Sequence, residues 1–183
     1  MNLLNGFSLR HRPGNTDGVL SVRGTSLNWE VLMSQSALER LVQYLREKVP
    51  MTCNFDIRPG AVDGSGLVLE APLASNFNDK QTAFAGTLAS LCTLSGWAMT
   101  SLVCEAVGNQ TDIAVVRSDL RYTRPCSEQM IRAYCRWPAP EDTARFTETL
   151  GERGRAVLSL SARVDSESEI AVVYSGDYSA KIL

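Results

Sequence analysis

Residues Thr82 to Cys104 form an uncharged segment that is long enough either for about six turns of helix or for one crossing of a lipid bilayer. The composition argues against a bilayer, because most of its residues are small or hydroxylic and Trp97 lies in the middle rather than at an interface. A helix that is apolar on all sides, in a chain of ordinary soluble composition, is one surrounded by the rest of its domain. The sequence therefore predicts a buried central helix from about Thr82 to Val107, ended by Gly108-Asn109.

The segments around this helix have the patterns of one more long helix and several strands. Ser36 to Glu39 reads as a capping box that opens a helix ending at Pro50. Strand 155–164 alternates, with Ala156, Leu158, Leu160, Ala162 and Val164 predicted to face inward. Further strands are predicted at 51–58, 67–73 (after a turn at 59–66), 112–122, 130–137 and 169–181, with a short helix over 141–150.

One central helix wrapped by a curved antiparallel sheet of about six strands is the economical packing of these elements. This is an α+β arrangement, the hot-dog fold. The length suits one domain, predicted over residues 34–183, preceded by a weakly patterned N-terminal extension over residues 1–33. The first residues, Met1 to Gly6, lack a basic and an apolar region, so a cytoplasmic protein without a secretory signal is expected.

Composition excludes several classes of function. The net charge is −2, so no basic field is available for nucleic acid. The five cysteines are an odd number and include no C-x-x-C pair, so neither a disulfide framework nor a zinc site is expected. His11 is the only histidine, which leaves no His-containing triad or multi-histidine metal site. We therefore expect no metal, no cofactor, and no nucleic-acid or membrane partner.

Three stretches carry a resemblance to a known family: Ala71 to Gly86, Ser118 to Pro125 and Arg153 to Leu158. The first resembles the pattern N-x-N-x-x-G-T-A-F-x-G-S of the thioesterase-like proteins of the YiiD C-terminal type, and the likeness covers about residues 36–182. The resemblance implies a hot-dog fold, a homodimer or higher oligomer with sites between subunits, and acyl-ACP or acyl-CoA as substrate. Some members of the family resemble malonyl-ACP decarboxylases, which convert malonyl-ACP to acetyl-ACP.

The start of the central helix is the predicted catalytic site. Charge develops on the carbonyl oxygen of a thioester, and free backbone amides at a helix N-terminus can stabilise it. The backbone amides of Phe84, Ala85 and Gly86 are the predicted donors, and Thr82 is a nearby hydroxyl. Asn78 matches the second Asn of the family motif and is predicted to hold the thioester oxygen or a substrate carboxylate; the alternative is that it only caps a turn.

Five more residues are predicted to bind substrate: Asn76, Asp79, Gln81, Arg121 and Arg124. Both Asn76 and Asp79 have the same capping alternative. The two arginines are predicted to meet the phosphate of a phosphopantetheine carrier, with a solvated strand face or an ion pair as the alternative.

The prediction of the reaction depends on whether an acidic residue is available to activate water. Hydrolysis needs a group that activates water, yet no Asp or Glu lies between Asp79 and Glu105, and the family-wide position of such a carboxylate is Thr93 here. Phe84 and Gln81 also replace the His and Gly of the wider hot-dog hydrolase loop. Decarboxylation of a malonyl thioester needs only stabilisation of the enolate oxygen, so it is the first of three predicted functions. Thioester hydrolysis with Asp79 as base is the alternative, and a non-catalytic acyl-carrier or acyl-chain binding module is the third.

Overall fold

The computed structural model describes residues 19–22 and 25–183. In chain order the elements are β1 (Val19–Val22), β2 (Thr25–Asn28), α1 (Trp29–Leu32), α2 (Gln35–Lys48), α3 (Met51–Asn54), β3 (Arg58–Asp63), β4 (Gly66–Pro72), α4 (Ala85–Ala106), β5 (Thr111–Tyr122), β6 (Met130–Arg136), α5 (Pro140–Arg153), β7 (Arg155–Ser166) and β8 (Glu169–Ile182).

A six-stranded antiparallel sheet in the order β3-β4-β6-β7-β8-β5 packs one face against α4. This confirms the predicted α+β hot-dog arrangement. The described part of the chain also contains a two-stranded hairpin, β1-β2, which the sequence patterns did not predict.

The core lies between α4 and the sheet. Leu91, Met99 and Leu102 of α4 are fully buried, as are Leu69 of β4 and Leu158 of β7. The inward face predicted for β7 is confirmed, because its alternate residues from Ala156 to Val164 are buried. Although α4 is long and apolar enough for a membrane span, most of it is buried within the protein.

Two buried tyrosines on β8 hold α4 in place. The Tyr178 hydroxyl donates to the carbonyl of Thr93, 2.8 Å away, in the middle of α4. The hydroxyls of Tyr174 and Tyr178 lie 2.6 Å apart. The bond between Tyr178 and the Thr93 carbonyl fixes the position of α4 on the sheet, and the bond to Tyr174 orients the Tyr178 hydroxyl.

The predicted strand over 51–58 is wrong. Pro50 has helical backbone angles (φ −53°, ψ −31°) and leads into the short helix α3. The Thr52 hydroxyl donates to the carbonyls of Leu45 and Val49, which ties this turn to the end of α2. The strand instead covers Arg58–Asp63, with a bulge after Pro59 where the sequence predicted a turn.

Both predicted helix starts shift. Ser34, rather than Ser36, caps α2, since its side chain accepts from the Ala37 amide at 3.1 Å. The central helix begins at Ala85 rather than Thr82, because the Ala83 amide donates a hydrogen bond to the Cys126 carbonyl at 2.7 Å.

Part of the predicted N-terminal extension packs on the domain. Leu32 of α1 is buried against Ala106, Val107 and Trp137, at the C-terminal end of α4. This contact lies at the end of α4 opposite to the predicted site. His11 lies outside the described residues.

The edges of the sheet differ. At one edge, β3 is short and carries Pro59 and a bulge, features that discourage further pairing. At the other edge, β5 is 12 residues long and exposed over most of its length, and among the described residues it pairs only with β8. An open edge of this length can accept another strand.

Candidate active site at the start of the central helix

The loop before α4 is closed by Asn78. Its side-chain oxygen accepts from the amides of Lys80 (2.8 Å) and Thr82 (3.2 Å), and its Nδ2 donates to the Thr82 hydroxyl (3.0 Å). The Asn78 amide also donates to the Thr82 carbonyl, at 2.8 Å. This is the geometry of an Asx turn, and it engages both Asn78 and Thr82 with each other. The capping interpretation of Asn78 therefore describes what its side chain does here.

Gln81 takes the left-handed conformation that closes this loop. Its φ is 62°, a region that costs an L-residue roughly 1 kcal/mol. Gln81 and its neighbour Asp79 are exposed, and the Asp79 carboxylate forms no ion pair with any described residue.

Asn76 is buried and joins three segments, the turn after α3, the end of β4 and the first turn of α4. Its Nδ2 donates to the carbonyls of Phe55 (2.9 Å) and Pro72 (2.7 Å), and its Oδ1 accepts from the Thr87 hydroxyl at 2.9 Å. Its backbone carbonyl accepts from the Phe84 amide at 2.7 Å. Asn76 therefore positions the first turn of α4, and its predicted contact with substrate stays a prediction.

The first turn of α4 presents free amides. Phe84 is the N-cap and offers no side-chain cap, and the Leu88 amide donates to the Phe84 carbonyl at 3.1 Å. Within the described residues the amides of Ala85, Gly86 and Thr87 have no acceptor. The Phe84 amide, predicted as a free donor, is occupied by Asn76. The free donors are therefore one residue further along than the sequence predicted, at a helix end where the dipole favours negative charge.

The Phe84 ring folds over this turn. A Cβ atom at Gly86 would lie 2.3 Å from the Phe84 Cε1 atom, so the ring occupies the space that glycine leaves. Phe84 is nevertheless 54% exposed, and Phe77, in the same loop, is exposed as well. The Phe84 ring thus packs against the first turn at Gly86 and covers part of it from water.

Tyr122, which the sequence reasoning did not single out, reaches the same turn. Its hydroxyl donates to the Ala85 carbonyl at 3.2 Å. Tyr122 pairs with Val172 of β8, whose side chain is buried, so both lie on the sheet face that α4 covers. Burial raises the pKa of the Tyr122 hydroxyl, with a smaller contribution from Cys92, so it is held protonated as a donor. The signal that could have found Tyr122 is its place in the Ser118–Pro125 stretch.

The two predicted arginines do not come to this turn within the chain. Arg121 pairs with the exposed Val173, on the sheet face turned away from α4. Arg124 forms an ion pair with Glu169. These placements favour the alternative interpretations, a solvated strand face for Arg121 and an ion pair for Arg124.

Neither an acid nor a reactive thiol accompanies the amides on α4. The only acid in α4 is Glu105, which lies at its far end and pairs with Arg40 at 3.2 Å. Burial raises the pKa of Cys92 to about 12 and that of Cys104 to about 11, so both thiols stay protonated. The arrangement can therefore stabilise an oxyanion, but this helix adds neither a carboxylate nor a reactive thiol near the free amides.

Comparison with known proteins shows which family the chain belongs to. The sequence model of the family described as "Putative thioesterase (yiiD_Cterm)" matches residues 38–182. The chain belongs to this YiiD_C family. The family assignment and the hot-dog fold are thereby confirmed.

Solved structures similar to this YiiD_C member agree. A protein of unknown function from Chlorobaculum tepidum TLS is 27% identical, with a TM-score of 0.78, over 84% of this chain and 99% of that one. A "putative thioesterase" from Shewanella oneidensis is 26% identical, with a TM-score of 0.71, over 82% and 100%. A thioesterase from Haemophilus influenzae shares the fold at 16% identity, with a TM-score of 0.58, over 80% and 91%.

Proposed function

We propose that this YiiD_C protein is an enzyme acting on acyl thioesters, with the thioester carbonyl oxygen bound by the amides of Ala85, Gly86 and Thr87. The observation that carries the proposal is the uncapped first turn of α4, whose amides have no acceptor among the described residues. Aligned backbone donors at such a turn stabilise negative charge as it develops on an oxygen, and one donor of this kind is typically worth about 10²–10³ in rate.

Decarboxylation of a malonyl thioester is the reaction we place first. The bond between the α-carbon and the carboxylate breaks, carbon dioxide leaves, and the electron pair passes to the thioester oxygen as an enolate. Water then protonates the α-carbon, which gives the acetyl thioester with its carrier still attached, and the hydroxide left behind combines with the released carbon dioxide as bicarbonate. The amides of Ala85 and Gly86 meet the only demand of this step, stabilisation of the enolate oxygen. Supporting this order, the only acid of α4 is Glu105 at its far end, and Thr93 stands where a carboxylate would be expected to activate water.

Thioester hydrolysis is the alternative, and the family description favours it. It would need a base for the attacking water. Asp79 is the acid in the loop before α4, and it is exposed. Comparison of Asp79→Asn with the unaltered protein therefore separates the two reactions, since decarboxylation does not use this carboxylate.

A homodimer built through β5 is part of this proposal. Thioesterases of the hot-dog superfamily commonly oligomerise, and β5 offers a 12-residue edge that pairs on one side only. Val115 and Val116 are exposed on it. Pairing of two such edges would cover the valines and satisfy the backbone groups. We also place the protein in the cytoplasm, supported by its five free cysteines.

The test is incubation of the purified protein with malonyl-ACP, malonyl-CoA and a panel of saturated acyl-CoAs, with products followed by mass spectrometry. Acetyl thioester with its carrier attached, formed equally by Asp79→Asn, establishes decarboxylation. Free thiol from saturated acyl-CoAs, lost in Asp79→Asn, establishes hydrolysis and overturns our order. No turnover of any thioester contradicts an enzymatic function and leaves an acyl-carrier or acyl-chain binding module.

A further inference from the structure

The sheet has a gap in its interior, because β6 is much shorter than its neighbour β7. The two strands pair only over Ala133 to Cys135 of β6 and Ala162 to Val164 of β7. On the other side, β8 pairs with β7 along its whole length. Among the described residues, the side of β7 that faces β6 therefore has no neighbouring strand over residues 155–160.

The backbone groups of Val157 and Ser159 point into this gap. The Ile182 amide donates to the Gly154 carbonyl at 2.9 Å, so the Gly154 backbone is directed toward β8. Because this direction alternates along a strand, the odd-numbered residues of β7 direct their backbone groups toward β6. The amides and carbonyls of Val157 and Ser159 accordingly have no hydrogen-bond partner among the described residues. Both residues are exposed, so an arriving segment can reach these groups.

A cavity lies directly at these backbone groups. Its volume is about 200 Å³, and it is lined by residues 156–159 of β7 and by Asp142, Arg145, Phe146 and Thr149 of α5. Ala156, Leu158 and Phe146 are buried side chains and give the cavity an apolar side. An extended segment inserted here would bond to the open side of β7 and place alternate side chains against that apolar side, as in strand addition.

The chain that precedes β1 starts close to this gap. Val19, the first described residue, pairs with Asn28 at the end of β2, and β2 contacts α5. Directly after β2, Leu32 of α1 packs against Trp137, the residue that follows the end of β6. Eighteen residues precede Val19, and at about 3.3 Å per extended residue they can reach along the whole gap.

A short run in this preceding segment has the pattern of the missing strand. Phe7 and Leu9 are apolar and alternate with Ser8 and Arg10, the period that places one face of a strand against a core and the other toward solvent. The charges are complementary as well. The segment before β1 has two arginines against one acid, whereas α5 has four acids against two arginines.

We propose that residues 7–10 of this chain add to the open side of β7 as a short strand, with their apolar side chains against the Phe146 side of the cavity. The added strand supplies the hydrogen-bond partners that Val157 and Ser159 lack. Because the segment is tethered to the domain, its effective concentration at the gap is high, so a few hydrogen bonds suffice to hold it. The inference goes beyond the proposed function and does not depend on the reaction.

Hydrogen exchange measured by NMR at single residues of the full chain tests this pairing. Leu9→Asp places a carboxylate where the apolar side of the cavity would receive leucine, and Leu4→Asp is the matched control outside the proposed strand. Neither substitution alters a described residue. We expect the amides of Val157 and Ser159 to be protected in the unaltered protein and in Leu4→Asp, and to exchange on the order of 10-fold faster in Leu9→Asp.

The amides of Ser118 and Leu120 serve as reference amides. The Thr123 amide donates to the Ala171 carbonyl of β8, so by alternation the amides of Ser118 and Leu120 point out of the open edge of β5. They lie on the far side of β8 from the gap. Their exchange should be the same in all three proteins.

A synthetic peptide of residues 5–12 tests the same site by addition. In the Leu9→Asp variant, whose gap is empty, the peptide should restore slow exchange of Val157 and Ser159. Isothermal titration calorimetry should show at least about tenfold tighter binding to this variant than to the unaltered protein, where the tethered segment competes. The peptide that itself carries Leu9→Asp should bind neither protein.

The outcomes that overturn the proposal are distinct. Equally fast exchange of Val157 and Ser159 in all three proteins shows that nothing covers the gap. Equally slow exchange in all three shows that another occupant, such as a second copy of the chain, covers it. Faster exchange of the reference amides in Leu9→Asp shows that the substitution loosens the whole sheet, and absence of peptide binding to that variant excludes the site. None of these results changes the proposed function, which turnover tests separately.

Discussion

A Cβ atom at Gly96 would lie 2.2 Å from the hydroxyl oxygen of Tyr178. The tyrosine can donate to the Thr93 carbonyl only because α4 has no side chain at this point. We expect Gly96→Ala to displace Tyr178 and to lower the free energy of unfolding by about 2 kcal/mol, despite the better helix propensity of alanine. The urea midpoint measures this.

Gly151→Ala is the matched control for that substitution. Gly151 lies in α5, and a Cβ atom there would meet nothing within 4 Å. Alanine should therefore raise the free energy of unfolding by roughly 0.5–1 kcal/mol. An equal gain at Gly96 would show that Tyr178 does not need the space.

The second prediction concerns Gly86 and the Phe84 ring. Alanine at Gly86 would come within 2.3 Å of the ring, which is exposed and can swing outward. We expect Gly86→Ala to cost less than about 1 kcal/mol in stability yet to lower turnover about tenfold, because the ring no longer shields the free amides. The measurement is kcat together with thermal unfolding.

A double variant tests the cause. If the ring transmits the effect, Gly86→Ala should lower turnover little further in a Phe84→Ala background. Additive losses in the double variant would instead mean that the methyl group blocks the amides directly.

The third prediction is a pH dependence of stability to which the buried thiol of Cys92 contributes. Burial raises the pKa of this thiol from 9.0 to about 12 in the folded chain. Well below pH 9 the thiol is protonated in both the folded and the unfolded state, so there it does not make the free energy of unfolding depend on pH. Above pH 9 the unfolded state releases the proton first, and stability falls until the folded pKa is reached. Between pH 8 and pH 10 this group should cost about 1 kcal/mol.

Urea unfolding of the reduced protein at these two pH values measures the loss. Cys92→Ala removes the thiol and should reduce the pH-dependent part of the loss, although the variant is less stable overall. The same dependence in both proteins would show that other groups cause it.

The fourth prediction tests the open edge of β5. Val116 is 56% exposed on this strand, and Val116→Lys should convert a dimer into a monomer, because pairing two edges would bring two charges together. Sedimentation velocity measures the assembly state. Val157→Lys is the control: Val157 is 54% exposed on β7, away from the edge, and its variant should remain dimeric. A Val116→Lys dimer would place the interface elsewhere.

Local sequence patterns predicted the central helix, the alternating strand β7 and two of the three amides that are free at the start of α4, those of Ala85 and Gly86. These features depend on residues close in sequence: an absence of charge from Thr82 to Cys104, a period of two from Ala156 to Val164, and a motif directly before the helix. The strand predicted over 51–58 failed because Pro50 starts a helical turn that Thr52 ties back to α2.

The role of β5 could not be predicted in the same way. A bulge between Val115 and Arg117 shifts the alternation of this strand by one residue. This shift decides whether Arg121 or Tyr122 faces α4. The decision also depends on pairing with Val172 and Val173, which lie about fifty residues later in the chain. The arginines attracted attention through their charge, whereas the side chain that contacts the first turn of α4 is that of Tyr122, through the Ala85 carbonyl.

The buried amide of Asn76 has a consequence for the thermodynamics of binding. It couples the first turn of α4 to two other segments through Phe55 and Pro72. The donors at Ala85 and Gly86 are therefore fixed before any ligand arrives, and little conformational entropy is lost when they engage an oxygen. Heat and entropy of ligand binding at this turn should accordingly reflect desolvation more than ordering of the chain.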